Sequence, residues 1–475
     1  MKKLKIIMCM CLIFIIVGCQ GKKEDILDKD NPTTISIWHY YNGAQQEAFN
    51  KLVTEFNETV GKEKGIVVES ASQGTVSDLE ENVMNSINGK AGADEIPNIF
   101  AAYGDTAYQV DKLDYAVDLT KYFTEKELDK YVDGYIEEGR FLGDGSLKIF
   151  PIAKSTEILM LNQTDWDIFA NETGAVIDEL QTIEGVTKVA KQYYEWTDAK
   201  TAAPNDGKAF FGRDANANYM IIGYHQLANE MFEVEKGQVK LNFERDVVKK
   251  LWDNYFIPYI NGYFNASGRF RSDDMKTGNI IACVGSSSSA TYLPKEVILN
   301  DEDSYPIEIA MMPSPKFANG ADYAVQQGAG MVVTKSNDKE QLASIEFLKW
   351  FTQDEQNIQF AMSSSYLPVT KNANNIEKIS ENIELKGNVK KSLISSLETT
   401  KDNKMYTTKA FEKGTTARSI MENSMSALAK EVREQVIANL NAGMSLQEAT
   451  ASFTSDEYFD TWYNQVKSQL EELVK

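Results

Sequence analysis

The chain alternates short β-branched runs with stretches of helical spacing. Thr33-Thr34-Ile35-Ser36-Ile37-Trp38 alternates and predicts a strand. Tyr40-Tyr41-Asn42-Gly43 reads as a turn, after which Phe49, Leu52, Val53 and Phe56 recur at helical spacing. Gly65-Ile66-Val67-Val68-Glu69 predicts a second strand, Leu79, Val83 and Ile87 a second helix, and Ile96 to Ala101 a third strand. Strand alternating with helix implies crossovers and a mainly parallel sheet. Ile149 to Ala153 and Ile158 to Asn162 read as paired extended segments. A second alternating region runs to about residue 330, with short apolar runs at Ile280–Val284 and Ile307–Met312, and Met331-Val332-Val333 follows as another strand. Leu342, Ile345, Leu348 and Phe351 mark a helix face, and the last 70 or so residues are helical, from Met421 and Met425 through Val432 and Val436 to Leu473. The expected class is α/β.

The first residues have a different pattern. Lys2, Lys3 and Lys5 precede an apolar run from Ile6 to Val17. That is the length of a signal-peptide core and short of the roughly 20 residues a spanning helix needs. The run closes with Ile16-Val17-Gly18-Cys19, which resembles the lipobox of bacterial lipoproteins. The resemblance implies a signal peptide over 1–18, acylation of Cys19 and a tether over 19–32 rich in Lys, Asp and Glu. No later stretch is apolar enough to cross a bilayer, so the lipid is expected to hold the body at the outer face of a membrane.

Composition narrows the function. The length of 475 residues suits two or three domain-sized units, and 43% hydrophobic residues can build sizeable cores. A net charge of −21 opposes nucleic-acid binding, which runs on basic surface. Of four cysteines only Cys283 lies beyond residue 19, so no internal disulfide is expected, and its apolar surroundings read as core. His39 and His225 are the two histidines; neither has metal-ligand spacing, and no nucleophile elbow or phosphate loop is present. No metal or cofactor is expected. Acids are abundant and the two-carboxylate signature of glycoside hydrolysis is geometric, so an exported glycosidase stays open as an alternative.

Several segments in order carry a resemblance: the strand ending in Trp38; Ile96-Pro97-Asn98-Ile99-Phe100-Ala101; Lys148-Ile149-Phe150-Pro151 with Leu161-Asn162; Arg271 to Ser286; Met312-Pro313 with Gly328 to Val333; and the helix 341–351 with Tyr366-Leu367-Pro368-Val369. Together they are similar to the extracellular solute-binding family that includes maltose-binding protein. Residues 163–260 match weakly. The resemblance implies a two-lobed periplasmic-binding-protein-like fold of the class II type, with a ligand cleft between lobes joined by a multi-strand hinge. The lobes would be 33–152 plus about 331–390, and about 153–330 plus about 391–475. It further implies a monomeric carbohydrate-capturing subunit of an ATP-driven (ABC) importer that hands ligand to permease subunits without catalysis. A sensory binding protein reporting to a receptor is the other alternative.

A sugar site needs aromatic faces beside hydrogen-bonding side chains. Trp38, His39, Tyr40 and Tyr41 follow the first strand and are the leading candidates. Tyr103 and Asp105 follow the third strand, where the resemblance places ligand-binding residues. Lys154, Ser155 and Glu157 lie just past the first crossover, Ser286, Ser287 and Ser288 end a strand, and Gln327 and Tyr366 complete the set.

Overall fold

A computed structural model describes residues 26–235, 237–381 and 386–475. Cys19 and its lipobox lie outside the described residues. Two four-stranded sheets, each with its own core, organise the chain.

In the first sheet, Thr33–His39 lies between Ile66–Ser72 and Ile99–Ala102, parallel to both. Gly330–Val333 adds an antiparallel edge beside Ile99–Ala102. The helix Gly43–Glu58 follows the first strand and buries Phe49, Leu52, Val53 and Phe56, the four apolar positions expected to form its face. The helix Val76–Ile87 starts at Thr75, whose hydroxyl and the Asp78 carboxylate cap each other's backbone amides. Asn98 accepts a hydrogen bond from the Ser36 amide at 2.9 Å and donates to Glu340 at 3.2 Å, stitching strand to helix.

The second sheet is mixed rather than mainly parallel. Glu157–Asn162 runs antiparallel to both Ile309–Pro313 and Ala282–Ser286, and Phe211–Arg213 closes the order in parallel with Ala282–Ser286. The expected pairing of residues 149–153 with 158–162 does not occur. Phe150 bridges to Met331 in the first lobe, whereas Glu157–Asn162 pairs within the second. The chain between them crosses from lobe to lobe, so each segment takes partners from its own sheet. The long helix Gly414–Asn441 buries Met421, Met425, Val432 and Val436 in the second core, and Asp456–Leu473 packs beside it. Cys283 is buried in a small apolar cluster, where burial raises its thiol pKa.

Three segments meet between the sheets. Ser155 and Gln327 exchange backbone hydrogen bonds at 2.9 Å each way, and the Lys154 amide donates to the Leu367 carbonyl at 3.1 Å. Tyr323–Val325 pairs in parallel with Lys404–Tyr406. Gly328 sits at φ +91°, and a Cβ there would press on the Ala153 carbonyl, so glycine is required for the two crossovers to approach.

Candidate functional site

A cavity of about 320 Å³ opens where these segments meet. Val76, Glu80, Tyr103 and Asp105 face it from the first lobe, and Asn218, Ile222 and Phe232 from the second. Its remaining walls are Gln326 and Gln327 of the crossover, the stretch Tyr406 to Thr408, and Phe411, Gly414 and Arg418 at the start of the long helix.

Asp105 stands in the first turn of the helix Gly104–Lys112. Burial, reinforced by Glu80, pushes its pKa up to about 6 against the opposing pull of the Phe411 amide and Arg418. The Arg418 guanidinium donates to Asn218 Oδ1 at 2.6 Å, and Asn218 Nδ2 donates to Glu157 at 2.8 Å. Arg213 donates to the other oxygen of Glu157 at 3.3 Å. A polar chain therefore leads from the cavity mouth into the second sheet, and Glu157 is buried inside it.

The cavity also holds unfulfilled hydrogen-bonding atoms. Gln326 Oε1 and Gln327 Oε1 are buried without a partner. The Gln326 amide cannot simply turn over, because its Nε2 donates to the Gly134 carbonyl at 3.1 Å and to Glu138. Amide oxygens only accept, so these positions call for O–H or N–H donors.

Of the residues expected from sequence, Tyr103, Asp105 and Gln327 line this cavity. Trp38 and Tyr41 lie in the first core, and His39 is fully buried beside Tyr41. His39 stacks on Tyr41 with ring centroids 5.1 Å apart, and burial lowers its pKa to about 4, leaving it neutral at pH 7. Tyr40 accepts from the Ala329 amide at 3.3 Å, and its hydroxyl gathers with those of Tyr103 and Tyr366. Burial raises all three phenol pKa values, and the charge of a neighbouring phenol adds to the rise at Tyr40 and Tyr366. Lys154 is buried at the hinge, its ammonium held by Glu138 at 2.6 Å and the Gly328 carbonyl at 2.7 Å. Ser155 pairs with Gln327 through its backbone.

The serine run joins structural elements. Ser286 and Ser288 share a hydrogen bond at 2.9 Å, and Ser287 Oγ accepts from the Thr156 amide at 3.3 Å. The Ser288 carbonyl accepts from Gln45 of the first lobe at 3.3 Å, and Tyr292 donates to Asn42 at 3.0 Å, so the two lobes touch along this edge.

Arg418, Asn218, Gln326, Tyr406 and Phe411 were not anticipated. Asn218 falls in the stretch of weakest resemblance. The others lie on crossover and late-chain segments that return to the cleft from far along the sequence. The run Met405-Tyr406-Thr407-Thr408 ahead of Gly414 was the available signal, an extended polar-aromatic stretch before a helix.

The model of the bacterial extracellular solute-binding proteins matches residues 51–387. This chain belongs to that family. Its described helices include none long and apolar enough to cross a membrane, and the family's description places its members outside the cell. No curated protein sequence matches the chain. Among solved structures, the cyclic α-maltosyl-1,6-maltose binding protein of Arthrobacter globiformis is similar with a TM-score of 0.64 at 14% identity, covering 92% of this chain and 99% of that one. UgpB of Mycobacterium tuberculosis, solved with glycerophosphocholine, gives 0.67 at 13%, covering 93% and 100%. The substrate-binding protein Lmo0181 of Listeria monocytogenes, solved with cycloalternan, gives 0.65 at 14%, again covering 93% and 100%. At such identities the likeness establishes the two-lobed fold of these binding proteins.

Proposed function

We propose that this solute-binding protein captures a carbohydrate between its lobes and delivers it to the permease of an ABC importer, with no chemistry of its own. The observation that carries the reading is the cavity wall. Gln326 and Gln327 present unpartnered amide oxygens, Glu80 and Asp105 add carboxylates, and the rings of Tyr103, Tyr406, Phe232 and Phe411 stand beside them. Sugar hydroxyls donate to such acceptors while the weakly apolar ring faces lie on aromatic side chains. A volume of about 320 Å³ sits at the lower end of the roughly 300–1,000 Å³ typical of ligand pockets, which favours a ligand of one or two sugar rings. Two of the solved relatives bind cyclic oligosaccharides, which supports the class but leaves the individual sugar open.

In this reading Tyr103, Asp105 and Gln327 touch ligand, joined by Arg418 and Tyr406. The N-terminal lipid on Cys19 holds the monomer at the outer face of the bacterial cell membrane, close to the permease. Calorimetric titration of the purified protein with glucose, galactose, mannose and their disaccharides tests the reading, with chromatography of each mixture afterwards. Saturable binding without a new product supports it, and loss of that binding in Tyr103→Ala ties it to this cavity. Turnover of the sugar would instead favour the glycosidase alternative.

A further inference from the structure

A second pocket of about 200 Å³ adjoins the main cavity and shares Gln326, Tyr406, Thr407 and Thr408 with it. Glu137, Glu138 and Glu230 line it, against the single exposed cation Lys409. These carboxylates are not equivalent. Glu138 is neutralised by the buried Lys154 ammonium. Glu137 is exposed and approaches Arg140 at 4.0 Å. Glu230 has no ion pair among the described residues.

Gln326 and Tyr406 line the same pocket. Gln326 is 4% exposed, and its unpartnered Oε1 lies beside Gly134, which lines the pocket. The Tyr406 hydroxyl lies beside Glu230 and Thr408, with one proton to give to either. His225, its ring tilted against that of Tyr406 with centroids 4.5 Å apart, brings no positive charge at neutral pH, because burial lowers its pKa. A carboxylate, an amide oxygen and a phenol oxygen thus line one pocket with a single O–H donor among them, that of Tyr406. A protonated primary amine offers three N–H donors and a positive charge; a hydroxyl offers one donor, and an anion none.

We propose that this side pocket is a subsite for a protonated amine carried by the ligand, so that the protein prefers amino sugars to their neutral parents. The inference rests on the carbohydrate reading above. The main cavity holds the ring, and Glu230, Gln326 and Tyr406 hold the amine past the shared wall.

The test is calorimetric titration of the intact protein with matched pairs: glucosamine with glucose, galactosamine with galactose, mannosamine with mannose, and the deacetylated chitin disaccharide with cellobiose. In at least one pair the amine should bind about tenfold tighter or more. Glu230→Gln should remove most of that preference while leaving the neutral sugar's affinity unchanged. Tyr406→Phe, which keeps the ring, should reduce the preference in the same direction. Neutral parents binding as tightly as their amines, or a preference untouched by Glu230→Gln in a normally folded variant, would overturn the subsite and leave the carbohydrate reading standing. Silence from every sugar, amine or neutral, would count against both.

Discussion

The Asp105 carboxylate of the first lobe occupies the space that a side chain on Gly414 of the second would need. A Cβ built on Gly414 falls well inside contact distance of both Asp105 oxygens. Gly414 begins the long helix, and Asp105 also draws on the Phe411 amide just before it. The two lobes therefore meet here through one carboxylate seated on a bare backbone.

Gly414→Ala should drive these groups apart. Overpacking of this kind destabilises by about 1–3 kcal/mol, and the expected outcome is a lower melting temperature together with weaker ligand binding. In an Asp105→Ala background the same substitution should lose most of its effect, because the colliding carboxylate is gone. A double-mutant cycle by thermal denaturation measures this coupling; strictly additive effects would refute the contact.

Asp105 also predicts a pH dependence. Its pKa rises from 3.8 unfolded to about 6 folded, chiefly through burial, so folding favours the protonated form. The charged form therefore carries a stability penalty that grows as pH rises from about 4 to about 6 and is then constant, at most about 3 kcal/mol. Asp105→Asn removes the charge. The melting temperature of that variant should exceed wild type by a margin that widens over this window and then levels off. A margin independent of pH would contradict the assignment.

Lys154 makes a buried pair with Glu138 beneath the crossover. Removing one partner leaves the other charge unpaired, which costs about 3–5 kcal/mol. Lys154→Ala should therefore destabilise strongly, and Lys154→Met combined with Glu138→Gln substantially less. Chemical denaturation of the three proteins decides this.

Trp38 bears on how far the sequence could be read. Its place at the end of the first strand fits a ring-stacking residue, yet the side chain is 7% exposed and belongs to the first core. Trp38→Ala should act chiefly on stability, by about 3–5 kcal/mol as for other buried aromatics. A normal melting profile with lost affinity would return Trp38 to the site.

The contrast has a physical cause. Local periodicity marks which residues of a helix or strand are buried, and Phe49 to Phe56 and Met421 to Val436 were legible for that reason. It does not say whether a ring at a strand end turns toward the core or the cleft. The second sheet was harder still, because antiparallel pairing of residues 157–162 with 282–286 and 309–313 is set by contacts more than 100 residues apart in the chain. Tyr103, Asp105 and Gln327, which line the cavity, could be singled out because they flank recognisable strands. Arg418 and Asn218 reach the cavity from segments whose local pattern is that of any amphipathic or buried helix.

Thermal denaturation of the protein with and without a panel of neutral and amino sugars decides whether the interlobe cavity captures a carbohydrate. A true ligand at about 100 times its dissociation constant should stabilise the fold by roughly 2.7 kcal/mol. One sugar class should give such a shift, Tyr103→Ala should abolish it, and no product should form in the mixture. A panel that leaves the melting temperature unchanged throughout would contradict carbohydrate capture.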